Sequence, residues 1–285
     1  MPQQTWIKRH ALRLWVIGLA CVVAYTLVPV LILRFGFDTF VLNPSGMETT
    51  HEDWRHIVLS DEGRGVAIRR YGEAHHGKCV VFLPGQHGGM ARYERDLLPQ
   101  LHVEGYSLYA MSYPGQDGAP GRGSLERLEG DLDRAFAFLA SSHLCRADRS
   151  VFVGRSLGAS LAIFEAWKLR PKGVLVEGVS PDLATTVRAW MKRHTLTWAW
   201  QWLPVASLLP VEGDLRPLIN TWDRTVPMIV FQGTADEVTP FTSAGVFMTH
   251  RQGITFEAVP EGLHEDTFRR AGSAYRAALM HLAGM

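Results

Sequence analysis

Apolar and polar positions change rhythm along this chain, and each rhythm predicts a different kind of element. Residues 14–33 hold twenty positions without a charged side chain; as a helix they rise about 30 Å, enough to cross the hydrocarbon core of a bilayer. Between 35 and 49 the pattern breaks, and Asn43, Pro44, Ser45 and Gly46 read as a linker. A body follows from Thr50 to Met285. In it short β-rich runs recur at 56–60, 66–70, Cys79–Leu83, 106–112, 150–153, Gly173–Glu177, 227–232 and Ile254–Val259. Longer helix-like stretches separate them. In 124–142, Leu125, Leu128, Leu132, Phe136 and Leu139 recur at three and four residues while charges fill the other face, and Ser124 stands where a cap belongs. Another helix follows Ser156, and 266–282 closes the chain as a third. Strands alternating with helices need crossover connections, so the pattern predicts an α/β fold with a mostly parallel central sheet and helices on both faces. No internal repeat or low-complexity segment competes with it.

Charge adds direction. The net charge is +1, from 29 basic and 28 acidic residues without a long basic run, so the electrostatic footprint of nucleic-acid binding is missing. Lys8, Arg9 and Arg13 precede the apolar span and only Arg34 follows closely. The positive-inside bias then keeps the N-terminus cytoplasmic and places the body on the periplasmic, lumenal or extracellular side of a single-pass membrane protein. A cleaved signal peptide is the rival reading, but its apolar core is shorter and ends at small residues, whereas 22–33 stays apolar. Lipid modification of Cys21 is a poorer rival, because Gly18, Leu19 and Ala20 precede it in the wrong order for a lipobox. Cys79 and Cys145 pair only if the fold brings them together, and the expectation is two unpaired thiols.

The candidate chemistry centres on Gly154-Arg155-Ser156-Leu157-Gly158, which follows an apolar strand and opens a helix. At such a turn the flanking residues must be small because backbone passes on both sides, and the central hydroxyl is lifted clear of the sheet. A serine hydroxyl is a weak nucleophile; it needs a base in hydrogen-bond reach, and the base needs a third group to hold its tautomer. Asp236, in Gly233-Thr234-Ala235-Asp236-Glu237, and His264, in Gly262-Leu263-His264-Glu265, each follow a strand, in the chain order Ser, Asp, His. An oxyanion hole needs backbone N–H groups. Leu157 supplies one, and Gln86, in the Gly-rich turn Pro84-Gly85-Gln86-His87-Gly88-Gly89, is the choice for the second. His87 reads as a residue lining the mouth.

Together these segments, with Phe82-Leu83-Pro84-Gly85-Gln86 and Ser112-Tyr113-Pro114-Gly115, resemble the α/β-hydrolase superfamily, and within it the membrane-anchored Bem46/ABHD-type serine hydrolases, over roughly 50–285. Pro84-Gly85 stands where that family often has His-Gly, and the glycines after Tyr113 are spaced differently. The resemblance implies hydrolysis of an ester, thioester or lipid acyl bond through Ser156, Asp236 and His264, with neither metal nor organic cofactor. It also places a helical cap in the long connection 181–226, which carries Trp190, Trp198, Trp200, Trp202 and Trp222. With Tyr113 and His87, the indoles of Trp190, Trp198 and Trp202 are candidate pocket residues. The same tryptophans also suit a membrane interface or a core beneath the lid. A peptidase, an acyltransferase or a non-catalytic membrane-tethered binding protein are the alternatives on the same fold.

Overall fold

The short apolar runs become strands that are buried from end to end where helices cover both faces, as in Cys79–Leu83 (β3) and Gly173–Glu177 (β6). The computed structural model describes residues 2–49, 51–86 and 89–285. His87, Gly88 and Thr50 lie outside the described residues, and with them the expected mouth-lining role of His87.

Among the described residues, eight strands form one sheet in the order β1-β2-β4-β3-β5-β6-β7-β8. Trp54–Leu59 (β1) and Gly65–Tyr71 (β2) are antiparallel at one edge. Ser107–Ser112 (β4), β3, Ser150–Arg155 (β5), β6, Met228–Gly233 (β7) and Ile254–Val259 (β8) run parallel. The register sets Leu83 beside Gly154, Arg155 beside Glu177 and Gly233 beside Val259, so these strands end along one rim. On one face pack Leu125–Ser141 (α4) and Leu157–Leu169 (α5), together with Phe241–Met248 (α9). On the other pack Met90–Asp96 (α3), Thr267–Ala271 (α10) and Ser273–Ala283 (α11). The predicted closing helix is thus two helices, broken at Gly272, whose φ of 54° is awkward for any residue with a Cβ. Between β6 and β7 stand Leu183–Arg193 (α6), a 3₁₀ turn Trp198–Trp202, Val205–Leu208 (α7) and Arg216–Asn220 (α8).

The N-terminal segment departs most from expectation. Pro2–Leu31 (α1) continues through a π-helical turn, Ile32–Gly36, into Phe37–Val41 (α2). This helix is long and apolar enough to span a membrane. Its described side chains up to Val28 are exposed, whereas Pro29, Leu33, Phe37, Val41 and Leu42 are buried. The segment read as a linker is therefore part of the core. Asp38 accepts a hydrogen bond from the Leu125 amide (3.1 Å) and caps α4, whereas Ser124, at the cap position, makes no capping bond with its side chain. Further on, Ser45 Oγ accepts from the Asp117 amide (2.8 Å), while the Glu48 amide (2.9 Å) and the Thr49 hydroxyl (2.6 Å) donate to the Asp117 carboxylate. Asp117 is fully buried and also pairs with buried Arg69 at 3.1 Å.

Cys79 and Cys145 form a disulfide, contrary to the expectation of free thiols, with their Cα atoms 5.6 Å apart. They lie 66 residues apart in the chain. The cause is sheet pairing: Cys79 opens β3 directly beside Ser150 of β5, and the loop holding Cys145 enters β5 with Arg146 N donating to Gly77 O at 3.0 Å.

Candidate active site

The turn between β5 and α5 holds Ser156 at φ 54° and ψ −118°, a conformation that a residue with a side chain rarely adopts. The two flanking glycines make it feasible. A Cβ on Gly154 would come within 2.2 Å of Gly158 O, and one on Gly158 within 2.0 Å of Leu83 O and 2.4 Å of Pro84 O. The elbow is thus pressed against the end of β3, which brings Ser156 to the loop 84–86.

Ser156 Oγ lies 2.9 Å from His264 Nε2, and His264 Nδ1 lies 2.9 Å from Asp236 Oδ2. The carboxylate accepts the Nδ1–H, which leaves the Nε2 lone pair facing the serine hydroxyl. Asp236 comes from the loop after β7 and is held firmly. Its Oδ1 accepts from the Val238 and Thr239 amides, both at 2.8 Å, and its Oδ2 from the Thr239 hydroxyl at 2.7 Å. Burial alone would raise its pKa, but the His264 hydrogen bond and charge, together with the Thr239 bonds, outweigh it and hold the carboxyl below the ordinary aspartate range. It stays ionised beside the imidazole.

His264 stands in the loop after β8, which interlocks with the Asp236 loop: Ala235 N donates to Gly262 O at 3.0 Å. A Cβ on Gly233 would meet Gly262 O at 2.2 Å. Several further residues set this geometry. Gly178, at φ +65°, leaves room for the imidazole, because a Cβ there would sit 3.0 Å from His264 Cε1. Gln232 accepts from Val179 N at 3.0 Å and donates to Thr239 O at 2.6 Å, tying the ends of β6 and β7 together. Arg155, inside the elbow itself, pairs with buried Glu177 at 3.2 Å and donates to His264 O at 2.9 Å. A polar residue closing the apolar strand of β7 was the visible signal for Gln232. Arg155 had none.

Leu157 is the first residue of α5, so its N–H belongs to the helix's first turn, where amides lack an intrahelical acceptor. Gln86 lies in a loop fixed from three sides. Tyr93 Oη accepts from Gly85 N (3.1 Å), Tyr113 Oη donates to Pro84 O (2.8 Å), and Gln116 Nε2 donates to Gln86 O (2.6 Å). Tyr113 is therefore a prop under the loop and not a pocket wall: it is fully buried, and burial pushes its hydroxyl pKa well above the usual value. The tryptophans divide. Trp190 and Trp200 are half-buried against the core, with Trp190 edge-on to Phe40 at 5.7 Å. Trp198 and Trp202 are 52% and 77% exposed. Among the described residues no cluster of His, Cys, Asp and Glu fit to hold a metal ion is found.

The sheet order, the strained serine turn and the two loops that meet it define the α/β-hydrolase fold. Solved structures agree. The chain is similar to the Pyrococcus furiosus esterase PF2001 with a TM-score of 0.69 and 16% identity, covering 86% of this chain and 97% of that one. It is similar to the esterase EaEST of Exiguobacterium antarcticum with a TM-score of 0.60 and 16% identity, over 81% of this chain and all 100% of the other. By sequence, it resembles the uncharacterized proteins MT2364 and Rv2307c from two strains of Mycobacterium tuberculosis, each 28% identical over 167 residues, 58% of this chain and 55% of the relative. The chain thus spans about half the length of these curated relatives. No protein-family model matches it.

Proposed function

We propose that the protein is a membrane-anchored serine hydrolase that cleaves an ester, thioester or lipid acyl bond, of the kind the Bem46/ABHD resemblance implies. The observation that carries the reading is the continuous chain from Ser156 Oγ through His264 to Asp236, with both links at 2.9 Å. His264 takes the serine proton as Oγ attacks the carbonyl, and Asp236 stabilises the imidazolium that forms. The amides of Leu157 and Gln86 hold the oxyanion. His264 then protonates the leaving group, and water enters by the same route to release the acyl chain from Ser156.

The anchor reading has α1 crossing the bilayer with the N-terminus cytoplasmic and the body on the opposite side. The disulfide Cys79–Cys145 supports that side, since such bonds persist in oxidising compartments. The burial of Leu33 and Phe37 in the body supports a helix that is retained. The esterase neighbours support acyl-ester substrates over peptides, at the level of analogy.

A fluorophosphonate probe labels the parent and not Ser156→Ala, and hydrolysis of a p-nitrophenyl ester is lost in His264→Ala. Equal labelling of both chains removes Ser156 as the nucleophile. Absence of ester turnover in a probe-reactive parent, with turnover of a peptide library, moves the activity to a peptidase.

A further inference from the structure

The cap does not stand clear of the apolar helix. The Tyr25 ring lies 5.3 Å from that of Trp200, and the Tyr25 hydroxyl donates to Leu196 O at 2.7 Å. Tyr25 falls well inside the uncharged run 14–33. From residue 14 to residue 25 a helix rises only about 17 Å, while the hydrocarbon core is about 30 Å thick. With Arg13 kept at the cytoplasmic boundary, the span reaches the far boundary near Leu33, so the cap meets the helix roughly 12 Å below that boundary. A helix that crosses therefore draws the cap into the membrane surface, slightly deeper than the about 5–10 Å at which interfacial amphipathic helices lie.

The chemistry of the cap surface fits that position. Leu196, whose backbone carbonyl meets Tyr25 of α1, is 80% exposed, and Trp198 and Trp202 nearby in the chain are exposed with it, as are Phe35 and Phe40 on the N-terminal helices. Between Asp182 and Glu212 there is no acidic residue, while Arg188, Lys192 and Arg193 are present and exposed. Exposed apolar and indole side chains in a segment whose charged residues are all cations match acyl chains below phosphates. The cap follows β6, and the segment 45–49 docks on the loop after β4, with Ser45 N donating to Gly115 O at 3.0 Å. Both attachments lie at the strand-end rim that carries Ser156, Asp236 and His264.

We propose that the face made by Leu196, Trp198 and Trp202 is seated in the phospholipid headgroup and upper acyl layer of the leaflet through which α1 emerges. This rests on the reading of α1 as a membrane span. The partner is the lipid surface itself, held by the same chain that crosses it, and the seating turns the catalytic rim toward that leaflet.

The test uses the full chain with Cys21→Ser, reconstituted in vesicles of phosphatidylcholine and phosphatidylglycerol. An environment-sensitive fluorophore is attached in turn at Trp202→Cys, Leu196→Cys and Glu104→Cys; Glu104 is exposed in the turn entering β4, at the opposite end of the sheet. Positions 202 and 196 are expected to show blue-shifted emission and several-fold stronger quenching by lipids spin-labelled high on the acyl chain than position 104. Retention after alkaline carbonate extraction is scored on the same vesicles. A chain that is retained while all three positions behave alike overturns the seated cap and leaves the anchor standing. A chain that is extracted overturns both.

Discussion

Deleting the N-terminal residues up to Thr50, the boundary that the sequence pattern suggests for a soluble body, is expected to damage the fold, whereas deleting only up to Val30 is not. The shorter chain loses Leu33, Phe37, Val41 and Leu42, which are all between 1% and 6% exposed. Burying a side chain of this size contributes about 1.5–3 kcal/mol, so the four together represent about 6–12 kcal/mol, an upper bound because the unfolded chain is itself partly collapsed. The Asp38 cap on α4 adds about 1 kcal/mol. The buried Asp117 carboxylate also loses the Glu48 and Thr49 donors. Set against a total stability of about 5–15 kcal/mol for a folded domain, this loss is of the same size as the whole. Urea unfolding in mild detergent, followed by tryptophan fluorescence, compares chains beginning at Leu31 and at His51. The first should unfold cooperatively near the midpoint of the full chain; the second should be largely unfolded or aggregated before denaturant is added. Equal midpoints with equal slopes would refute the assignment of residues 33–49 to the core.

Three other outcomes follow from the same geometry. Asp236→Asn puts an amide N–H where the His264 N–H must be accepted, and turnover of an ester substrate should fall by about 10³–10⁴ with the fold intact. Glu165 is buried, and burial raises its pKa from 4.5 to about 7 despite Lys168 at 3.0 Å. The native carboxyl therefore keeps its proton where the unfolded one has lost it, so its contribution is complete below about pH 4.5 and lost as pH rises through 7, by about 3 kcal/mol in all. Glu165→Gln should be more stable than the parent at pH 8.5, with the difference vanishing toward pH 5; a pH-independent difference in urea midpoint refutes this. Replacing both Cys79 and Cys145 by alanine opens a 66-residue separation and should cost about 2–4 kcal/mol in thermal or urea unfolding, while an unchanged midpoint under reducing conditions would count against the bond.

Periodicity and local chemistry were enough to read the eight strands, the amphipathic α4 and the serine turn, because each of these is encoded within a few neighbouring residues. The order Ser156, Asp236, His264 was legible for the same reason: each residue follows an apolar strand in a parallel sheet, whose ends share one rim. What escaped the reading depends on contacts between distant segments. A stretch with Asn43, Pro44, Ser45 and Gly46 looks like a linker by composition, yet its side chains meet Asp117 and α4 across about 70 residues or more of chain. The tertiary structure alone joined Cys79 to Cys145 through the pairing of β3 with β5. It alone set Arg155 between Glu177 and the His264 backbone, and turned Tyr113 from an expected pocket residue into a support for the loop at Gly85. Sequence determined which side chains are candidates for the chemistry and where the long apolar helix lies. Only the packed chain decided how that helix is joined to the body, because hydrogen-bond partners and buried surface are properties of segments brought together in space.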